Sequence, residues 1–207
     1  MFEVSLAARG GDHLLGASAA EQMIAALWPT LSELPPGEII LLDFEGVTAV
    51  NGSFIRSSLL YLYVCGRVSA GDSTLLAAVG RAGGLRPLDI YPICHRLLPD
   101  VRDEIDEVFR PREVPFLLAR VVKESRLIEA DIGGHLGMAP RQTLAALVAA
   151  GGEATAAQLS HGRDLGRTAW NNRLNELVAL RLCRKLRVGR EWCYRTVAER
   201  FSWEKNF

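Results

Sequence analysis

The side chains with the chemical reach to catalyse are scattered along this chain rather than clustered. Cys65, Cys94, Cys183 and Cys193 show no C-x-x-C spacing, so they suggest neither a zinc site nor a disulfide framework. They read as reduced, mostly buried thiols, the pattern of a cytoplasmic protein. His13, His95, His135 and His161 are equally dispersed. Cys94 and His95 are adjacent, but neighbours on an extended segment point to opposite sides, which argues against a Cys–His pair. Arg81-Ala82-Gly83-Gly84-Leu85-Arg86-Pro87 is a basic, glycine-rich loop. It lacks the GK[ST] ending of a phosphate cradle, and Pro87 removes a donor, so it reads as a connector. No Ser-His-Asp order, metal-ligand cluster or dinucleotide fingerprint occurs. The expectation is no enzyme, no metal and no cofactor.

Side chains suited to binding lie near the end of the chain. A helix over residues 167–180 places Trp170, Leu174, Leu177 and Val178 on one arc and Thr168, Asn171, Asn172 and Asn175 on the other. Amides on an outward face can pair bidentately with adenine in the major groove. Arg163, Arg167 and Arg173 flank that face and suit phosphate contacts.

The elements that must position this face are legible. Pro140 suits the first turn of a helix over 141–150, stopped by Gly151-Gly152. Thr155-Ala156-Ala157-Gln158 has the form of a capping box opening a short helix, and residues 161–166 turn into the helix above. After it, residues 182–188 and 191–197 read as a β-hairpin with Gly189-Arg190 as the two-residue loop. That register opposes Leu186 to Cys193 and Arg187 to Trp192. It puts Leu182, Leu186, Val188, Cys193 and Val197 on the inner face, and Lys185, Arg187, Trp192 and Tyr194 on the outer one, with Arg190 at the tip. A one-residue slip would exchange these faces.

The 207 residues carry 24 basic and 24 acidic side chains and a net charge of zero. The zero is a sum of opposites: residues 1–134 hold 12 basic and 18 acidic groups, and residues 135–207 hold 12 basic and 6 acidic. A −6 half joined to a +6 half suggests a basic binding module beside an acidic one. A hydrophobic content of 49% excludes wholesale disorder. The first residues, Met1-Phe2-Glu3, lack the basic start of a signal peptide, and the charge-free stretch between Arg141 and Glu153 is too short to span a bilayer. No membrane association is expected.

The first half alternates strand and helix patterns. Phe2, Val4 and Leu6 alternate as in a half-buried strand, Ser18-Ala19-Ala20-Glu21 has capping-box form, and residues 39–44 form an apolar run suited to a central strand. A helix over 54–64 follows, with strands at 74–79, 89–94 and 114–121 and a helix at 100–109. This predicts an α/β sheet layered with helices over 1–132, a Gly-rich linker over 133–140, and an α+β module over 141–207. Asp43 and Glu45 stand at a strand end, as an acidic mouth for a ligand or as solvated loop acids.

The segment Leu42-Asp43-Phe44-Glu45-Gly46-Val47-Thr48-Ala49-Val50-Asn51-Gly52-Ser53-Phe54 resembles the STAS-like domains (sulfate transporter and anti-sigma-factor antagonist), best over residues 38–66. There a buried strand ends in Asp, and a D-S-S-G type turn opens the next helix. The resemblance implies a sensing or dimerising α/β domain with a regulatory protein partner, and places regulatory phosphorylation on Ser53. Asn51, Gly52 and Phe54 depart from the D-S-S-G pattern. Independently, Ser53 at a helix start reads as a plain cap or as a favourable seat for a phosphate.

The stretch Thr168-Ala169-Trp170-Asn171-Asn172-Arg173-Leu174-Asn175-Glu176-Leu177, with Leu182-Cys183-Arg184-Lys185 and Gly189-Arg190-Glu191-Trp192-Cys193-Tyr194, resembles winged-helix transcription regulators over residues 139–198. Arg181 departs, standing where such regulators usually close the recognition helix with Gly. It implies either a strained left-handed cap or a different helix ending. The resemblance implies a regulator that binds double-stranded DNA as a homodimer through the third helix and the basic wing. A partner-switching adaptor, in which the first domain binds a regulatory protein, is the other expectation.

Overall fold

The computed structural model describes residues 1–64, 89–161 and 164–203. The strand expected at 74–79, the loop at 81–87 and Arg163 lie outside them. Strand β1 (Phe2–Ser5) leads through α1 (Ala7–Gly10), β2 (His13–Leu14) and α2 (Ala17–Ser32) to β3 (Glu38–Asp43). Then come β4 (Ala49–Val50), α3 (Gly52–Ser57), α4 (Leu59–Val64), β5 (Ile90–His95), α5 (Pro99–Phe109), β6 (Pro115–Lys123) and β7 (Arg126–Gly134). The remainder is α6 (Met138–Ala149), β8 (Glu153–Thr155), α7 (Ala156–Ser160), α8 (Arg167–Ala179), β9 (Cys183–Val188), β10 (Glu191–Thr196) and β11 (Arg200–Trp203).

A six-stranded sheet in the order β1-β3-β5-β6-β7-β11 forms the middle of the molecule. All its pairings are parallel except β6 with β7. Those two are joined by Glu124 and Ser125, both at positive φ (48° and 58°), as the tight hairpin turn that matches strand twist requires. From β1 through β6 each crossover steps one way across the sheet. Right-handed crossovers stepping one way place their helices on a single face, and α2 to α5 accordingly pack there against Ile40, Leu42, Cys94, Phe116 and Leu118.

The alternate residues of the same strands, Ile39, Leu41, Tyr91, Ile93 and Leu117, face the other way and need cover. It comes from the C-terminal segment: Leu144, Leu147, Leu159, Trp170, Leu174, Leu177 and Tyr194 complete a second core with them. The chain is thus a mixed α/β structure with a mainly parallel sheet between two layers.

Residues 133–140 do not form a linker. Gly133 and Gly134 end β7, and α6 begins at Met138. The glycines are there for close approach. A Cβ on Gly133 would sit 2.4 Å from the Phe116 ring, and one on Gly134 (φ 73°) would sit 2.3 Å from the Val114 carbonyl oxygen. Strand β11 returns from beyond β10 to pair with β7, so residues 141–207 also supply an edge of the first sheet.

Three cap expectations change in detail. Gly16, at φ 86°, precedes α2 with no side-chain cap, so Ser18 lies inside the first turn and its capping box does not form. Pro140 stands third in α6 rather than first. The helix expected over 54–64 breaks at Ser58, whose hydroxyl donates to the Phe54 carbonyl at 2.7 Å. The Thr155–Gln158 capping box is present in both its hydrogen bonds.

Candidate nucleic-acid interface

Helix α8 buries Trp170, Leu174 and Leu177 and leaves Arg167, Thr168 and Asn172 exposed. Asn171, Arg173 and Asn175 are half-buried at the margins of the outward face. Glu176, one turn beyond Asn172, is also exposed there and is the acid of this helix.

Strands β9 and β10 pair in the expected register, Leu186 with Cys193 and Arg187 with Trp192. Within the strands their faces are the reverse of the expectation, whereas Leu182 and Val197, just outside them, are buried in the second core as expected. Directly opposed residues share a side, and the side carrying Lys185, Tyr194, Cys183 and Thr196 is the one turned to α8. Tyr194 is fully buried and Val188 is 58% exposed. Cys193 is buried outside the main core, where its thiol donates to Glu153 Oε1 at 3.3 Å. Burial, then the facing carboxylate, pushes that thiol up. Tyr194 takes the inner place because its hydroxyl finds partners in the helix amides, as a buried tyrosine needs.

Those contacts join helix and hairpin. The Tyr194 hydroxyl donates to Asn171 Oδ1 at 2.8 Å and lies 3.1 Å from Asn175 Oδ1. Lys185 Nζ donates to Asn175 Oδ1 at 2.9 Å. Its ammonium also stands 4.7 Å from the centroid of Trp192 and 5.6 Å from that of Tyr194. The Arg187 guanidinium is 5.4 Å from the Trp192 ring centroid. Trp192 itself is 45% exposed. Arg190 is exposed in the hairpin loop after Gly189, which takes φ 61°. Arg167 is held by Glu191 across 3.3 Å. Sequence reasoning missed Glu191, although it follows the Gly189-Arg190 turn directly.

Arg181 closes α8 in the left-handed region at φ 60°, which decides between the two expected endings. Its charge does not stand beside the hairpin as added surface. The side chain is 5% exposed, stacks 5.4 Å from the Tyr91 ring centroid and reaches Asp89 Oδ1 at 3.3 Å. Burial, then the Asp89 charge, pushes the Tyr91 hydroxyl up to about 12.

The strand-end acids of the first half are already occupied. Arg96, at φ 56°, donates from Nε to Asp43 Oδ1 at 2.7 Å, bonds Oδ2 as well, and pairs with Glu45 and with Glu3 at 3.1 Å. Glu3, Asp43 and His95 bring potential ligand atoms within 4.8 Å of one another, but this guanidinium already neutralises the carboxylates. Ser53 does not cap its helix. Asn51 does, accepting from Phe54 N at 3.0 Å and from Gly16 N at 3.1 Å. Ser53 Oγ accepts from Arg56 at 3.3 Å.

No protein-family model, curated protein or solved structure matches the chain. Among the described residues no helix is long and apolar enough to cross a membrane.

Proposed function

We propose that this chain is a regulator that binds double-stranded DNA through a winged helix formed by α6, β8, α7, α8 and the β9–β10 hairpin. The observation that carries the reading is the wing. Lys185 and Arg187 both lie over a half-exposed Trp192 beside the exposed first turn of α8. Cations stacked on an aromatic ring suit a surface that meets phosphates and sugars. The three-stranded order β8-β10-β9 is what a winged helix uses to fix its wing against its third helix.

In this reading Thr168 and Asn172 face base edges, with Asn171 and Asn175 at the wing side. Arg167, Arg173, Arg187 and Arg190, with Arg163, meet the backbone. Arg167 exchanges Glu191 for a phosphate on binding. The first layer, with its described helices α2 to α5 on one sheet face, is a STAS-like sensing or dimerising unit. A homodimer suits it because two-fold proteins match palindromic sites.

Val188, 58% exposed on the hairpin face away from Trp192, favours a second reading, in which this tip docks a regulatory protein and the chain is a partner-switching adaptor. Fluorescence anisotropy of the full chain against a pool of duplexes separates the two. Trp192→Ala and Arg187→Ala each weaken duplex binding several-fold if the wing meets DNA. Wild-type protein that binds no duplex at low salt contradicts the regulator and leaves the adaptor.

A further inference from the structure

An asparagine reads adenine by offering one acceptor and one donor together, Oδ1 to N6–H and Nδ2–H to N7. In this protein the acceptors are already engaged by the wing before any duplex arrives. The Lys185 ammonium has donors only, so the Asn175 atom that meets it at 2.9 Å must be Oδ1. The Tyr194 hydroxyl donates to Asn171 Oδ1 at 2.8 Å. The two Nδ2 groups make no hydrogen bond among the described residues and are not buried. Both amides therefore turn a donor outward on the wing side of α8.

We infer that the wing fixes Asn171 and Asn175 as donor-only readers, and that the bases they select are guanines rather than adenines. This rests on the DNA-binding reading above. Guanine shows two acceptors in the major groove, O6 and N7. Adenine shows one acceptor beside an N6 amino group, which a donor-only amide cannot satisfy. Asn172, exposed and without the wing's contacts, keeps both functions and is free to read adenine. Tyr194 and Lys185 then set specificity without touching a base.

The test is selection by the full chain from a duplex pool with a randomised centre, repeated with Asn171→Ala, Asn175→Ala and Tyr194→Phe. Guanine is expected over adenine by about two- to tenfold, the ratio one net hydrogen bond gives, at positions that the alanine variants make neutral. Tyr194→Phe keeps the ring in the core and releases Asn171 Oδ1, so adenine gains at the position that Asn171 contacts. This variant carries the test if an alanine variant loses its fold by circular dichroism. Adenine enrichment at those positions overturns the inference. So does duplex binding whose base preferences no variant changes, and that result leaves the DNA-binding reading standing. Failure of the wild-type chain to retain any duplex overturns both.

Discussion

Replacing Arg181 tests how the wing corner is mounted on the sheet. The residue carries a backbone cost and a side-chain gain that two substitutions separate. At φ 60° any residue with a Cβ is strained by about 1 kcal/mol, which glycine escapes. The side chain offsets this. Its guanidinium lies over Tyr91 at 5.4 Å and the side chain is 5% exposed, a desolvated cation–π contact of about 2 kcal/mol. Its ion pair to Asp89, itself 57% exposed, adds about 0.5 kcal/mol. The buried aliphatic stem adds about 0.5 kcal/mol more. Arg181→Ala loses the side-chain gain and keeps the strain, a cost of about 3 kcal/mol. Arg181→Gly loses the same contacts but relieves the strain, a cost of about 2 kcal/mol. Urea denaturation followed by tryptophan fluorescence, with equal m values, measures both. Glycine no more stable than alanine, or either variant as stable as wild type, refutes the reasoning.

Asp43 provides a pH signature. Burial pushes its carboxyl up, but the hydrogen bonds from Arg96 and the Glu45 amide outweigh this and hold it below the ordinary 3.8. A carboxyl lowered on folding contributes stability fully above its unfolded value and loses it as pH falls through the folded value. Asp43→Asn therefore costs about 2 kcal/mol at pH 7, and the gap to wild type closes below about pH 4; a gap independent of pH contradicts this. At the start of α3, Asn51→Ala loses two hydrogen bonds and costs about 1.5 kcal/mol, whereas Ser53→Ala costs under about 0.5 kcal/mol. Thermal melts that rank these two the other way contradict the capping assignment.

Local rules made part of this fold legible. A two-residue loop fixes hairpin register, so Gly189-Arg190 gave the Leu186–Cys193 and Arg187–Trp192 pairs correctly. The apolar arc of α8 and the Thr155–Gln158 box were equally readable, because each depends on residues within a few positions. What sequence could not show depends on distant partners. Tyr194 looked like an outer residue until the amides of Asn171 and Asn175 gave its hydroxyl a buried place. Gly133 and Gly134 looked like a linker because the Phe116 ring and Val114 carbonyl that demand them are separate in sequence. The −6 and +6 halves look like two bodies, yet Ile39, Leu41 and Tyr91 share one core with Trp170 and Leu174. Strand β11 was invisible because its partner among the described strands is β7, about seventy residues earlier.

The central claim, that the α8 face and the wing hold a duplex, is tested most directly by binding of the full chain to duplex DNA as salt rises. Neutralising about five phosphates predicts that affinity falls about five-hundredfold between about 50 and 200 mM salt. Arg187→Ala with Arg190→Ala should flatten that slope by about two charges. A duplex affinity indifferent to salt, or a slope that the double variant leaves unchanged, contradicts the account.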